Sequence, residues 1–225
     1  MKLLAVSCSA DENAPLLLVK SLNHFLVNEE GMLPVFDIQT VTAREEITDI
    51  VKQALFESDK TIVLGTNHAI TLKSFKACTE AGIVIFDDCP GYSDYLPALV
   101  EQGVLKSTNI LMVGLRKYAA KEYHFLREKK IKIYPLNELM SEGILDVSDS
   151  VMSAAREFKT LYISISLNVL DPSFASGSEP GGLSTRELLF FLQRMKKLKN
   201  FKIADIVNIT EERIPIAAKL IRELY

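Results

Sequence analysis

The chain has 225 residues, 48% hydrophobic and 24% charged, with a formal net charge of −3, a composition and size that bury a substantial core without disulfides or metals. That balance excludes the basic field that nucleic acid or an anionic membrane surface requires, so neither is an expected partner. No apolar run reaches the ~18–20 residues that span a bilayer. Three cysteines, Cys8, Cys78 and Cys89, form no metal-finger spacing and no even framework; reduced thiols and a cytoplasmic location are the expectation.

The start, MKLLAVSCSADENAP, superficially suggests a signal peptide, but acidic and polar residues follow at once and a strand over 3–9 fits better. Pro15 suits the first residue of the next helix. LPVFDI (33–38) reads as the second strand, and Thr42 with Glu45 has the spacing of a capping box before ITDIVKQAL. TIVLG (61–65) is a strand, followed by a helix over about 68–81. GIVIFDD, NILMVGL, IKIYPL, LYISISL and FKIADIV are the remaining strands, with helices near 118–130, 148–158, 184–199 and 212–224. Ser184 and Glu187 form a second capping-box spacing, and Thr210 with two glutamates suits the start of the last helix.

Alternating strands and helices, with near-continuous apolar strands, imply a parallel sheet covered on both faces. Eight strands also fit a closed (β/α)8 barrel, which usually takes ~250 residues. The pattern alone leaves both open. No repeat, low-complexity tract or linker interrupts the chain, so residues 1–225 are expected to form one domain.

Either architecture places chemistry at the carboxyl ends of the strands. Those ends read Gly65-Thr66-Asn67-His68-Ala69, then Asp87-Asp88-Cys89-Pro90-Gly91, then Ser164-Ile165-Ser166-Leu167-Asn168-Val169-Leu170-Asp171-Pro172, then Asn208. From about residue 60 onward these segments resemble the ureohydrolase (arginase/agmatinase) family, whose motifs are Gly-Gly-Asp-His-Ser, Asp-Ala-His-x-Asp and Ser-x-Asp-x-Asp-x-x-Asp-Pro. Glu179-Pro180-Gly181-Gly182-Leu183, VGLRKYAAKEYHFLREKKIKIYPLNEL and ADIVNITEERIPIAAKLI resemble the corresponding family segments in the same order. The resemblance implies a three-layer αβα fold with an open, mostly parallel sheet of about eight strands.

The same resemblance implies a changed site. The family holds two manganese ions with two histidines and four aspartates. Matched residue by residue, His68 and Asp87 keep a ligand type, while Cys89, Gly91, Ser166 and Asn168 stand at the other four positions. The family's substrate-binding glutamate matches Asn208. Two divalent ions ~3.5–4 Å apart repel strongly, and bridging carboxylates offset that repulsion; a Ser/Asn pair does not. The loop between Pro172 and Gly181 is shorter than the family's.

His68, Asp87 and Cys89 allow one further reading, a single zinc with an open fourth position. Against it stands a plain reading: His68 as a hydrogen-bonded helix-start residue and Cys89 as a small filler. Cys89 as a nucleophile would need His68 as its base. Strand alternation turns Asp88 away from Asp87, and Asp94 suits a helix cap near Tyr95. His24, His124 and the RMKKLKN run (194–200) read as solvent-facing, and the Gly181-Gly182 pair as a tight turn. The expectation is a pseudoenzyme: a vestigial pocket of His68, Asp87, Cys89, Gly91, Ser166, Asn168 and Asn208 with no metal, one zinc being the alternative cofactor. It would serve as a binding, regulatory or assembly subunit. Its partners would be copies of itself or an active ureohydrolase paralogue; a metal-free small-molecule sensor is a further alternative.

Overall fold

In a computed structural model that describes residues 1–7, 13–22, 26–42, 46–91 and 95–225, the chain forms an eight-stranded sheet. The strands are β1 (Lys2–Ser7), β2 (Asp37–Thr42), β3 (Thr61–Leu64), β4 (Ala81–Phe86), β5 (Ile110–Leu115), β6 (Lys132–Pro135), β7 (Thr160–Ser166) and β8 (Phe201–Val207). Their order is β2-β1-β3-β8-β7-β4-β5-β6, and every pairing is parallel. Two edges make the sheet open, as the family resemblance implies, and exclude the barrel.

The helices are α1 (Ala14–Ser21), α2 (Ile47–Glu57), α3 (Ala69–Phe75), α4 (Leu96–Glu101), α5 (Ala120–Glu128), α6 (Leu136–Glu142), α7 (Ile144–Arg156), α8 (Thr185–Met195) and α9 (Ile214–Leu224). Successive strand residues point to opposite faces, so each central strand feeds two cores. Ile62, Leu64, Val84 and Phe86 pack under α1 and α6 to α9. Val63, Ile83 and Ile85 pack under α2 to α5. Burial on both sides explains why these strands read as continuous apolar runs.

Several sequence expectations move. The second strand lies at 37–42, not 33–38, because β1 pairs Lys2 with Asp37 and carries the register from there; Pro34 has no N–H to donate to such a ladder. Thr42 therefore ends β2 and does not cap α2, whose flanking residue is Glu46. Glu45, Cys8, His24 and Asp94 lie outside the described residues. The third helix stops at Phe75, since the chain must turn through Glu80 at φ 51° to enter β4. Gly143, at φ 92°, divides the helix expected at 148–158 from an unanticipated α6 and starts α7 at Ile144. A 3-10 turn, Glu211–Arg213, precedes α9. Ser184 and Glu187 do form the reciprocal cap of α8, at 3.2 and 2.7 Å. His124 is exposed, but Lys196 is buried and paired with Glu30 at 2.9 Å, so the 194–200 run is not wholly solvated.

The connection between α1 and β2 is pinned by charge. The Glu29 N–H donates to the fully buried Glu223 carboxylate at 3.1 Å. The Glu29 carboxylate accepts from Arg186 and Lys219 at 2.8 Å and from Gln193 at 2.9 Å. These bonds, Arg186's foremost, hold its pKa down to about 2. A folded pKa below the unfolded one stabilises the fold above about pH 4.5, and that stability is lost as pH falls toward about 2. Urea midpoints of Glu29→Gln are therefore expected to fall less steeply than wild type across that acid window; parallel curves would show that Glu29 is not titrating against this cluster.

Candidate functional site

The order of the sheet determines where a site can form. Strands β3, β8, β7 and β4 are consecutive neighbours, although the chain visits them far apart. Their carboxyl ends meet where strand order reverses, the usual place for a ligand crevice in an open α/β sheet. A cleft of about 480 Å³ opens there, within the size range of small-molecule sites. Asn67 and His68 follow β3, Asp87, Cys89 and Gly91 follow β4, Asn168 follows β7 and Asn208 follows β8; all line it, together with Lys73 and Tyr95. Six of the seven expected pocket residues thus share one cleft. Ser166, the seventh, is fully buried and within hydrogen-bond reach of two of them.

On the β3–β4 side, His68 Nε2 lies 2.9 Å from Asp87 Oδ2 and its Nδ1 lies 3.1 Å from Thr71 Oγ1. Both ring nitrogens are thereby engaged, and the ring stacks on Tyr95 with centroids 4.4 Å apart. Asp87 Oδ1 accepts the Asp88 N–H at 2.9 Å. Gly91, at φ 62°, sits under Tyr95; a Cβ there would approach the ring to 2.4 Å. Any side chain at this position would displace the ring that covers His68.

Below this pair lies a buried acid that the sequence reading did not single out. Asp205, on β8, accepts from Tyr162 at 2.6 Å and from Ser164 at 2.7 Å. Burial pushes its carboxyl up, against the opposing pull of Tyr162, His68, Ser164 and Thr71. It stands in a strand buried on both faces, so alternation along FKIADIV does not distinguish it, and only the structure supplies its partners.

On the β7–β8 side the cleft is held by Arg213, whose side chain is nearly fully buried. Its Nη1 donates to Asn168 Oδ1 at 2.8 Å and to the Asn208 carbonyl at 3.0 Å. Its Nε donates to the Ser176 carbonyl at 2.8 Å and its Nη2 to Ser178 Oγ at 3.2 Å. Burial draws its pKa down, yet a guanidinium stays charged at neutral pH. Asn208 takes φ 58°, a conformation that asparagine tolerates better than most side chains, and its Nδ2 donates to Ser166 Oγ at 2.9 Å. Sequence reasoning missed Arg213, because ITEERIP reads only as a helix start.

The metal-donor grouping also differs from expectation. Asp87, Asp88 and Cys89 carry ligand atoms within 4.8 Å of one another. His68 is not in that group, although its Nε2 lies 2.9 Å from Asp87 Oδ2. Alternation that would turn Asp88 away ends with β4 at Phe86, and the chain bends over 88–89. Burial and then the Asp87 charge push the Asp88 carboxyl up, against Arg116, whose Nη2 is 3.8 Å away. Arg116 also donates to the Val169, Asn168 and Glu179 carbonyls, bracing β5 against the β7 loop. Gly181, at φ 84°, donates its N–H to Asp171 Oδ2 at 2.8 Å, and Gly182 would crowd the Leu170 backbone at 2.4 Å if it had a Cβ. That pair makes a tight turn.

An open parallel sheet with this strand order and a cleft at its switch point defines an arginase-like α/β fold. The family model described as "Arginase family" matches residues 89–223. A formimidoylglutamase of Halalkalibacterium halodurans is 28% identical over 243 residues, covering 91% of this chain and 76% of that protein. An arginase of Bacillus caldovelox is 30% identical over 216 residues, covering 81% and 72%. Among solved structures, the formimidoylglutamase of Bacillus subtilis subsp. subtilis str. 168 superposes with a TM-score of 0.87 at 16% identity, covering 99% of this chain and 85% of that one. The chain belongs to the arginase family.

Burial, followed by the Asp87 charge, pushes the Cys89 thiol up to about 12, and burial alone does the same to Cys78. A thiol so placed is almost wholly protonated at neutral pH and is a poor nucleophile. Peptide-resolved alkylation of the folded protein at about pH 8 is expected to label Cys89 at least ~100-fold more slowly than in the unfolded chain. Rapid labelling would mean an activated thiolate.

Proposed function

We propose that this arginase-family protein is a pseudoenzyme: it keeps the family's fold and cleft, holds no dinuclear manganese, and acts as a binding, regulatory or assembly subunit. The observation that carries the reading is Arg213. Its guanidinium donates to Asn168 Oδ1, one of the positions that the family resemblance assigns to a metal ligand. A fixed cation at that donor opposes divalent ions, where a ligand set must supply negative charge.

The rest of the donor set supports the same reading. Ser166 Oγ accepts from Asn208 Nδ2 and from the Asn168 N–H, Gly91 offers no side chain, and His68 turns both ring nitrogens to protein partners. A neutral serine, two amides and an arginine at these positions do not supply the negative charge that a pair of divalent cations needs. No step of metal-assisted hydrolysis is therefore assigned to these residues. The chain's relatives are named as formimidoylglutamase and arginase, and this reading separates it from their chemistry while keeping their scaffold. Assembly with copies of itself or with an active paralogue is part of the proposal.

Metal content per chain, measured by mass spectrometry before and after soaking with manganese or zinc, tests it together with turnover of arginine, agmatine and formimidoylglutamate. Near-zero metal and no turnover are expected. Two manganese ions per chain with hydrolysis would overturn the reading. One zinc per chain, lost in Cys89→Ala, would replace it with a mononuclear site on the Asp87-Asp88-Cys89 group.

A further inference from the structure

Arg213 does more than occupy space: it fixes which way an amide faces. A guanidinium only donates, so the oxygen of Asn168 must be the atom 2.8 Å from Arg213 Nη1. The other end of that amide, Nδ2, makes no hydrogen bond among the described residues, and Asn168 is half-buried in the cleft lining. The cleft is thus offered an N–H donor. Asn208 is oriented in the complementary sense. Its Nδ2 donates to Ser166 Oγ, which leaves its side-chain oxygen, without a partner among the described residues, as an acceptor on the same wall.

The charges around this pair are already matched. Asp87 is engaged by His68 and the Asp88 N–H. Asp88 lies against Arg116. Arg213 stands directly behind Asn168. The exception is Lys73, which lines the cleft and forms no ion pair among the described residues. A cationic head group at Asn168 would meet donors and, one hydrogen bond further back, a positive charge. Like-charge juxtaposition of this kind costs enough to reverse a preference. A carbonyl would meet the donor it needs.

We infer that the cleft binds a small metabolite with a neutral amide or ureido head and a carboxylate tail, its carbonyl oxygen on Asn168 Nδ2, its N–H on Asn208 and its carboxylate toward Lys73. The inference rests on the proposed metal-free reading of the same cleft. It specifies selectivity against guanidinium compounds, which differ from ureido compounds by a single atom of the head. A site that leaves a polar group unpaired for one of two such isosteres discriminates strongly.

Titration calorimetry on the full chain in chelator-containing buffer, with citrulline against arginine and hydantoate against guanidinoacetate, reads that selectivity. The ureido member of at least one pair is expected to bind ten-fold or more tightly than its guanidino partner. Asn168→Ala is expected to remove the preference. Lys73→Gln is expected to weaken the ureido acid several-fold while leaving methylurea, which has no carboxylate, unchanged. Arg213→Met frees the amide to turn and is expected to level the pair; if it does not fold, the half-buried Asn168→Ala still decides the matter. Equal or tighter binding of the guanidino compounds, a preference that survives Asn168→Ala, or no binding of any of the four would overturn the inference. Failure here with near-zero metal leaves the pseudoenzyme reading standing, whereas stoichiometric manganese with arginine turnover removes both.

Discussion

Three chain segments that sequence distance keeps apart are joined by one guanidinium. Arg213 reaches Asn168, two residues past β7, Asn208, the residue after β8, and the loop at Ser176 and Ser178. Hydrogen bonds from a charged donor contribute about 1.5–3 kcal/mol each, and a buried acceptor left without its donor costs about 1–3 kcal/mol. The cleft floor therefore depends on a cation carried by the chain itself. In this arrangement the positive charge is covalent, stays protonated at neutral pH and cannot be exchanged with solvent, which distinguishes it from a charge supplied by bound ions.

The opposite wall follows the same logic with an acid and an imidazole. His68 and Asp87 satisfy each other, Thr71 takes the second ring nitrogen, and Tyr95 lies flat over the ring because residue 91 has no Cβ. Beneath them Asp205 is served by Tyr162 and Ser164, so this buried acid keeps partners independent of any ligand. The result is a cleft whose polar groups are mostly engaged, with one end of each of two oriented amides and one lysine side chain without a partner among the described residues.

Much of the fold was legible in the sequence. The buried central strands are continuous apolar runs, and their order along the chain is enough to identify the strand ends that carry His68, Asp87, Asn168 and Asn208. What was misplaced sits where local signals compete with tertiary register. β2 is an edge strand whose position is decided by pairing with β1, not by its own hydrophobicity. Strand alternation predicts the direction of Asp88, but that alternation stops with β4 at Phe86. Arg213 was invisible because nothing local says that a helix-start arginine will fold back 45 residues to meet Asn168. Spacing encodes which residues share a strand end; the partners that decide their chemistry come from elsewhere in the chain.

The central claim is that Arg213 provides the charge at this strand edge. Diffraction from crystals grown with excess manganese, collected at the manganese absorption edge, tests it most directly. The account predicts no anomalous peak in the cleft, with Arg213 Nη1 still in hydrogen-bond contact with Asn168 Oδ1 and His68 with Asp87. A pair of peaks among Asp87, Asp88 and Cys89, with Arg213 swung away from Asn168, would contradict it.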